Sequence, residues 1–394
     1  MVLPSLPQEL IEKIIDQFSE TDKSNKDWAS NKRVLATLSM VAGAWRERSQ
    51  KHLFSVIAFR KDPEVKIAEA DLRDMALVFH FTKDLDIDGS WEVHSQFDPV
   101  AIVSLRCFRN LESLTLTGWH FRWLDAEQLT RCFGHLGETL IHLKVDGTAG
   151  SKPLIYLTSM FPRLRILDIS IVGVHEETEG TPKEHSPTTG RFQGYLHLWG
   201  LSEAHNDFLA FISSTSPRFD TICVDSCDSG DGLRKLVESS ATSLESLELY
   251  VDLDNIGGEF TSPLIKPSSV LILRLPDTLI SLSECTQLRE VSISHPYPQS
   301  TAWLLQTIRS PHLKRFMVYF TTWFCGGGDA DVWEDTDQEL CTAYDLWTKH
   351  AAGAIEVTFC VPGAVRGNSL EGYQKDLKRF FPRFTENVRV TIVC

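Results

Sequence analysis

No run approaching the roughly 18 consecutive apolar residues of a membrane-spanning helix occurs in this 394-residue chain, so no membrane association is expected. The N-terminus lacks a basic region leading into an apolar stretch, which argues against a secretory signal. Asn-x-Ser/Thr sequons are absent. Cysteine is sparse: nine residues, an odd number, scattered without the dense spacing of a disulfide framework. Reduced thiols and a cytoplasmic or nuclear location are the corresponding expectations. Basic residues are also in deficit, 39 Lys/Arg against 53 Asp/Glu, for a net charge of −14. So acidic a chain is poorly suited to neutralising phosphates, and no nucleic-acid partner is expected.

Signatures of chemistry are missing as well. Gly326-Gly327-Gly328 is not followed by Lys-Ser/Thr, so it lacks what a phosphate-cradling loop needs. His-Glu-x-x-His and Gly-x-Ser-x-Gly do not occur. Cys223-x3-Cys227 has no second Cys or His pair at zinc spacing. No catalytic residue, metal ligand or cofactor is assigned, and a non-catalytic protein is expected.

What is present begins at the N-terminus. Apolar residues at 6, 10, 11, 14, 15 and 18 form one face of a helix that opens with Pro7, a residue suited to a first turn. Ser5 and Gln8 stand at capping-box spacing. Shorter helical segments follow near 33–41 and 44–54, with Gly43 read as lying inside the third helix. Glu20 to Ser30 reads as a long polar loop. Three small helices bury little surface by themselves, so such a module completes its core against something else. Residues 1–60 hold nine Lys/Arg against seven Asp/Glu, leaving 30 against 46 in the remainder. The small module would therefore suit an acidic partner.

Leu6-Pro7-x-Glu9-Leu10-x3-Ile14, then Leu35-x2-Leu38-Ser39-x-Val41-x3-Trp45-Arg46, then His52-Leu53-Phe54, resembles the F-box motif. The version with a trailing His-Leu-Phe is similar to F-box proteins common in mushroom-forming fungi. This resemblance implies a docking surface for a Skp adaptor formed or supported by Leu6, Pro7, Leu10, Ile14, Val41 and Trp45, and through it a cullin complex. The module is placed at residues 1–56.

From residue 57 to 394 the chain repeats itself. Leu-x-x-Leu-x-Leu, with aliphatic or aromatic substitutes, begins at Leu111, Leu140, Leu164, Phe219, Leu244, Leu288 and Leu313, with looser copies at Gln193, Val270, Ala354 and Asn387. An earlier turn is expected around Leu85–Asp88. Most intervals fall in the roughly 20–29-residue range of leucine-rich repeats, which this region resembles. The Asn or Cys that such repeats carry eight positions after each start is nearly absent, Cys227 excepted. Between copies lie helix-period runs such as Leu124/Leu129/Phe133/Leu136 and Leu233/Leu236/Val237. The predicted class is α/β: a three-helix F-box followed by a curved, leucine-rich-repeat-like β/α solenoid with a parallel sheet. Irregular loops are predicted near 174–192, 254–269 and 325–339, the last rich in acidic residues.

Strand alternation places Asp146, Asp168, His197, Trp199, Asp225, Glu248, Tyr250 and Tyr319 on the open, concave face. Aromatics interleaved with charges are the usual make-up of a binding surface, here for an unknown target protein, and the acids suit a basic one. Two readings follow. The chain is a substrate-recognition subunit of a Skp–cullin–F-box ubiquitin ligase, or it is a non-catalytic interaction scaffold whose N-terminal helices cap the solenoid.

Overall fold

The computed structural model describes residues 7–18, 28–59, 76–88, 107–120, 126–173, 192–225, 230–250, 280–294, 304–319, 330–360 and 370–393. They fall in two compact units. The first holds the described residues of Met1–Ala149 and Tyr156–Leu164, the second those of Gly150–Ile155, Arg165–Glu176 and Thr189–Cys394.

The first unit opens with α1 (Gln8–Asp16), α2 (Trp28–Val41) and α3 (Gly43–Phe54). Ile11, Ile15 and Leu35 form their buried centre, and Phe18, Leu38, Trp45 and Leu53 pack around it. Three corrections to the sequence reading arise here. Pro7 is the N-cap of α1 rather than its first helical residue, and Gln8 Nε2 donates to Glu12 Oε1 at 3.3 Å instead of closing a capping box. Gly43 is the first residue of α3, after an extended Ala42, so it costs the helix interior nothing. The polar stretch after α1 ends early, because α2 already begins at Trp28. Lys32 Nζ donates to the carbonyls of His52 and Leu53 at 2.7 and 2.6 Å, a cation placed where α3 leaves its last acceptors unsatisfied.

Only Ser55 separates α3 from β1 (Val56–Phe59), and the helical module shares a compact unit with the first strands. Thr82, after α4 (Ala76–Phe81), donates to the carbonyls of Phe54 and Val78 and ties α3 to α4. In this unit β1, β2 (Asp84–Asp88), β3 (Ser113–His120) and β4 (His142–Thr148) pair in parallel and in chain order. The turn anticipated near residue 85 is β2. Helix α5 (Ala126–Phe133) links β3 to β4, with Leu129, Phe133 and Leu136 buried.

After α6 (Ser151–Ser159), the second unit continues with β5 (Ile166–Gly173), β6 (Gln193–Trp199), β7 (Arg218–Asp225), β8 (Ser246–Tyr250), β9 (Glu290–Ser294), β10 (Arg315–Tyr319), β11 (Glu356–Cys360) and β12 (Val390–Val393). Each pairs in parallel with the next. Helices α7 (Asn206–Ser214), α8 (Gly230–Ser240), α9 (Ala330–His350), α10 (Leu370–Phe380) and α11 (Pro382–Asn387) occupy the crossovers. Within each unit, therefore, the fold is α/β: parallel strands stacked in chain order and joined by crossovers. The leucines are its adhesive. Leu167, Leu196, Ile222, Leu247 and Val291 form one buried row across five strands, and Ile169, Leu198, Val224, Leu249 and Ile293 form the next. Truncating one of them to Ala would cost about 2–5 kcal/mol.

One prediction in this region needs correction. Residues 330–339 are not a loop but the first half of α9. Thr336, Leu340, Ala343 and Trp347 are buried at helical spacing, and the acids Glu334 and Asp335 stand near the N-terminal end, where the helix dipole favours negative charge. The looser copy beginning at Val270 lies outside the described residues. The predicted loops at 254–269 and 174–191 lie outside the described residues.

Candidate functional site

Two surfaces carry the residues singled out from the sequence. On the helical module, the apolar stripe of α1 divides in two. Ile11 and Ile15 turn into the core, whereas Leu10 and Ile14, each one residue earlier and about 100° around the helix, are 46 % and 37 % exposed. Val41, at the end of α2, is 61 % exposed, and the adjacent Met40 reaches 75 %. Pro7 is exposed as well. Trp45 differs from this group: it is partly buried against the Ile11/Ile15/Leu35 centre, where its large ring does more for packing than for contact. Leu6 lies outside the described residues. Met40 was missed from sequence, although its place in the last turn of a helix ending at Val41 would have pointed to it.

An ionic clamp fixes the angle of this module. Arg48 of α3 grips Asp16 of α1 in a fork, Nε to Oδ1 at 2.8 Å and Nη2 to Oδ2 at 2.6 Å, while its Nη1 meets Glu12 Oε2 at 3.0 Å. His52 Nε2 lies 2.8 Å from the same Asp16 carboxylate. The hydrogen bond from Arg48 holds the Asp16 carboxyl down at about 2, and Asp16 in turn raises the guanidinium. Four large apolar side chains thus stay at the surface of a module whose framework is cross-tied.

The second surface is the unburied face of the sheet in the second unit. Register aligns Asp168, His197, Cys223, Glu248 and Ser292 along one rung of β5 to β9. The next rung runs Ser170, Trp199, Asp225 and Tyr250, and Tyr319 stands on β10. The structure thus brings seven of the eight predicted open-face residues together in this unit. Asp146 lies on β4 of the first unit, opposite Thr117. The predicted residues are half-buried, as expected on a pleated face whose alternate residues point away from the apolar rows, whereas Cys223 and Ser292 on the same rung are buried.

Hydrogen bonds knit the face. His197 Nδ1 lies 2.8 Å from Asp168 Oδ1, and the Tyr250 hydroxyl donates to Glu248 Oε2 at 3.1 Å. Tyr250 and Tyr319 meet edge to face with centroids 5.2 Å apart. Tyr195, whose outward position is set by alternation with Leu196, was not singled out from the sequence. Its ring centroid lies 6.5 Å from that of His197, and the Cys223 thiol and the Glu248 carboxylate are among its charged or polar neighbours. Burial, reinforced by these neighbouring acids, pushes both the Tyr195 phenol and the Cys223 thiol up to about 12. Burial also raises Tyr250 and Tyr319. Near neutral pH the phenols and the thiol therefore keep their protons, and the negative charge of this face rests on its carboxylates.

Among the described residues no cluster of three or more His, Cys, Asp or Glu has the arrangement to hold a metal ion, and no helix is long and apolar enough to cross a membrane. No protein-family model matches the chain, and no curated protein matches it. Among solved structures, the leucine-rich repeat-containing protein LegL7 from Legionella pneumophila is similar over 89 % of this chain and 94 % of its own, at 12 % identity and a TM-score of 0.42. A similarity of that size adds nothing to the strand order described above.

Proposed function

We propose that this chain is the substrate-recognition subunit of a Skp–cullin–F-box ubiquitin ligase, with the helical module docking the adaptor and the open face of the repeats holding a target protein. The observation that supports this most is the exposure of Leu10, Ile14, Met40 and Val41 on a module whose own core is already complete without them. Large apolar side chains left in water, three of them (Leu10, Ile14 and Val41) at positions of the resemblance to the F-box motif, fit a surface that a second polypeptide covers. Burying each would contribute on the order of 1–2 kcal/mol. On this reading the chain performs no bond chemistry and contributes proximity and orientation.

The scaffold reading also has an observation in its favour. Thr82 and Ser55 tie the end of α3 to α4 and to the start of β2, so the helices are anchored to the first strands, as a cap would be. The two roles use different sides of the module and are compatible. Replacing Leu10 and Met40 together with Ser separates them. Both side chains are exposed, so the fold should lose no more than about 1 kcal/mol in total. Adaptor co-purification is expected to disappear while the circular dichroism stays unchanged and the melting temperature falls by no more than about 4 °C. Retained adaptor binding would leave only the scaffold role.

A further inference from the structure

Of the large apolar side chains that the helical module leaves in water, Met40 is the most exposed, at 75 %, and it alone carries an oxidisable atom. Peroxides oxidise a thioether, and the product is a polar sulfoxide in place of a flexible apolar chain. The adjoining sequence has nothing to receive that polarity. Met40, Val41, Ala42, Gly43 and Ala44 are all exposed, running from the end of α2 into the start of α3, and no side chain among them bears a hydrogen-bond donor. Among the described residues the other methionines, Met160 and Met317, are both partly buried, so an oxidant in solution meets Met40 first.

An interface that closes over Met40 treats the two oxidation states differently. A thioether packs into an apolar contact without losing hydrogen bonds, whereas a sulfoxide oxygen buried there without a donor forfeits its bonds to water. We propose, resting on the reading above that this surface docks the adaptor, that Met40 is an oxidation switch: the thioether permits docking and the sulfoxide releases the adaptor. Hydrogen peroxide is the oxidant. Sδ takes one peroxide oxygen and gives up two electrons as the O–O bond breaks, and the other oxygen leaves as water. A thiol-dependent sulfoxide reductase reverses the step: two thiols supply two electrons and become a disulfide, and the sulfoxide oxygen leaves as water.

The test treats the full chain alone with hydrogen peroxide, removes the oxidant with catalase, returns the thiols to their reduced form with dithiothreitol, and then measures affinity for the purified adaptor. Peptide mass mapping should find sulfoxide at Met40 before Met160 or Met317. Wild-type affinity should fall at least about tenfold and recover after treatment with the reductase. Met40→Leu keeps an apolar side chain that peroxide leaves alone, so the same treatment should change its affinity by less than about twofold from its own untreated value. Unchanged wild-type affinity with Met40 fully oxidised, an equal loss in Met40→Leu, or no recovery with the reductase overturns the switch. So does loss of the folded circular-dichroism signal on oxidation, because binding would then fail through unfolding. Binding by the untreated chain reports separately on the receptor reading: its absence overturns that reading and the switch together, whereas binding indifferent to oxidation overturns the switch alone.

Discussion

Gly200 shows how much depends on single positions in this chain. It follows β6 with φ of +69°, and a Cβ there would run into the carbonyl oxygen of Ile171 on the adjacent strand. Only glycine accepts both conditions without strain. Gly200→Ala is expected to destabilise the protein by about 1–3 kcal/mol, seen as a melting temperature several degrees lower. An unchanged melt would contradict the geometry. The thiols make a second residue-scale case. Cys107 is exposed, whereas Cys223 and Cys285 are buried and burial pushes both up to about 12. Since the thiolate is the reacting form, iodoacetamide at pH 8 should modify Cys107 and spare the other two until the protein unfolds. Mass spectrometry that finds Cys223 labelled as fast as Cys107 in the native state would contradict this. At this scale the sequence was only partly legible. Leu10 and Ile11 belong to one apolar stripe, and nothing in their type says that one faces water and the other the core. Trp45 carries the same ambiguity, and its packing against Ile11 and Ile15 was settled only by the fold.

Elements were read more easily when their hydrophobic period was clear. Leu-x-x-Leu-x-Leu fixes which strand residues face inward, so the rung containing Asp168, His197 and Glu248 could be placed from spacing alone. Strand β1 escaped notice because four residues directly behind a helix show no period of their own. Helix α9 was hidden for a different reason. Its acids suggested a solvated loop, but Asp337 is buried and accepts from the backbone N–H groups of Arg383 and Phe384, capping α11. The α1–α3 clamp supports an element-scale prediction. Asp16 has a folded value of about 2, below the roughly 3.9 of an unfolded aspartate. Its contribution to stability is therefore complete above about pH 5 and is lost as pH falls toward about 2. The clamp is partly exposed, so that contribution is under about 1 kcal/mol. Melts of the wild type and Asp16→Asn should differ by a constant amount above about pH 5 and converge near pH 2. A gap that persists at pH 2 would mean that the clamp works through packing rather than charge.

At the scale of the whole molecule, labour is divided between helices that leave apolar side chains at the surface and strands whose outward residues are acidic and aromatic. Parallel strands in chain order provide that face without any regular loop ladder, because the apolar rows alone hold the register. Class and organisation were legible in the sequence, since repetition is visible without contacts. The division into two compact units was not, because neither repeat spacing nor composition changes at Ala149. Under the proposed function, the exposed side of α1 and the end of α2 receive a Skp-type adaptor. Hydrogen–deuterium exchange on the full chain, with and without the purified adaptor, tests it most directly. Slowed exchange confined to Gln8–Asp16 and the last turn of α2, with the strands unaffected, is the predicted result. Protection confined to the strands, or none anywhere at saturating adaptor, would contradict it.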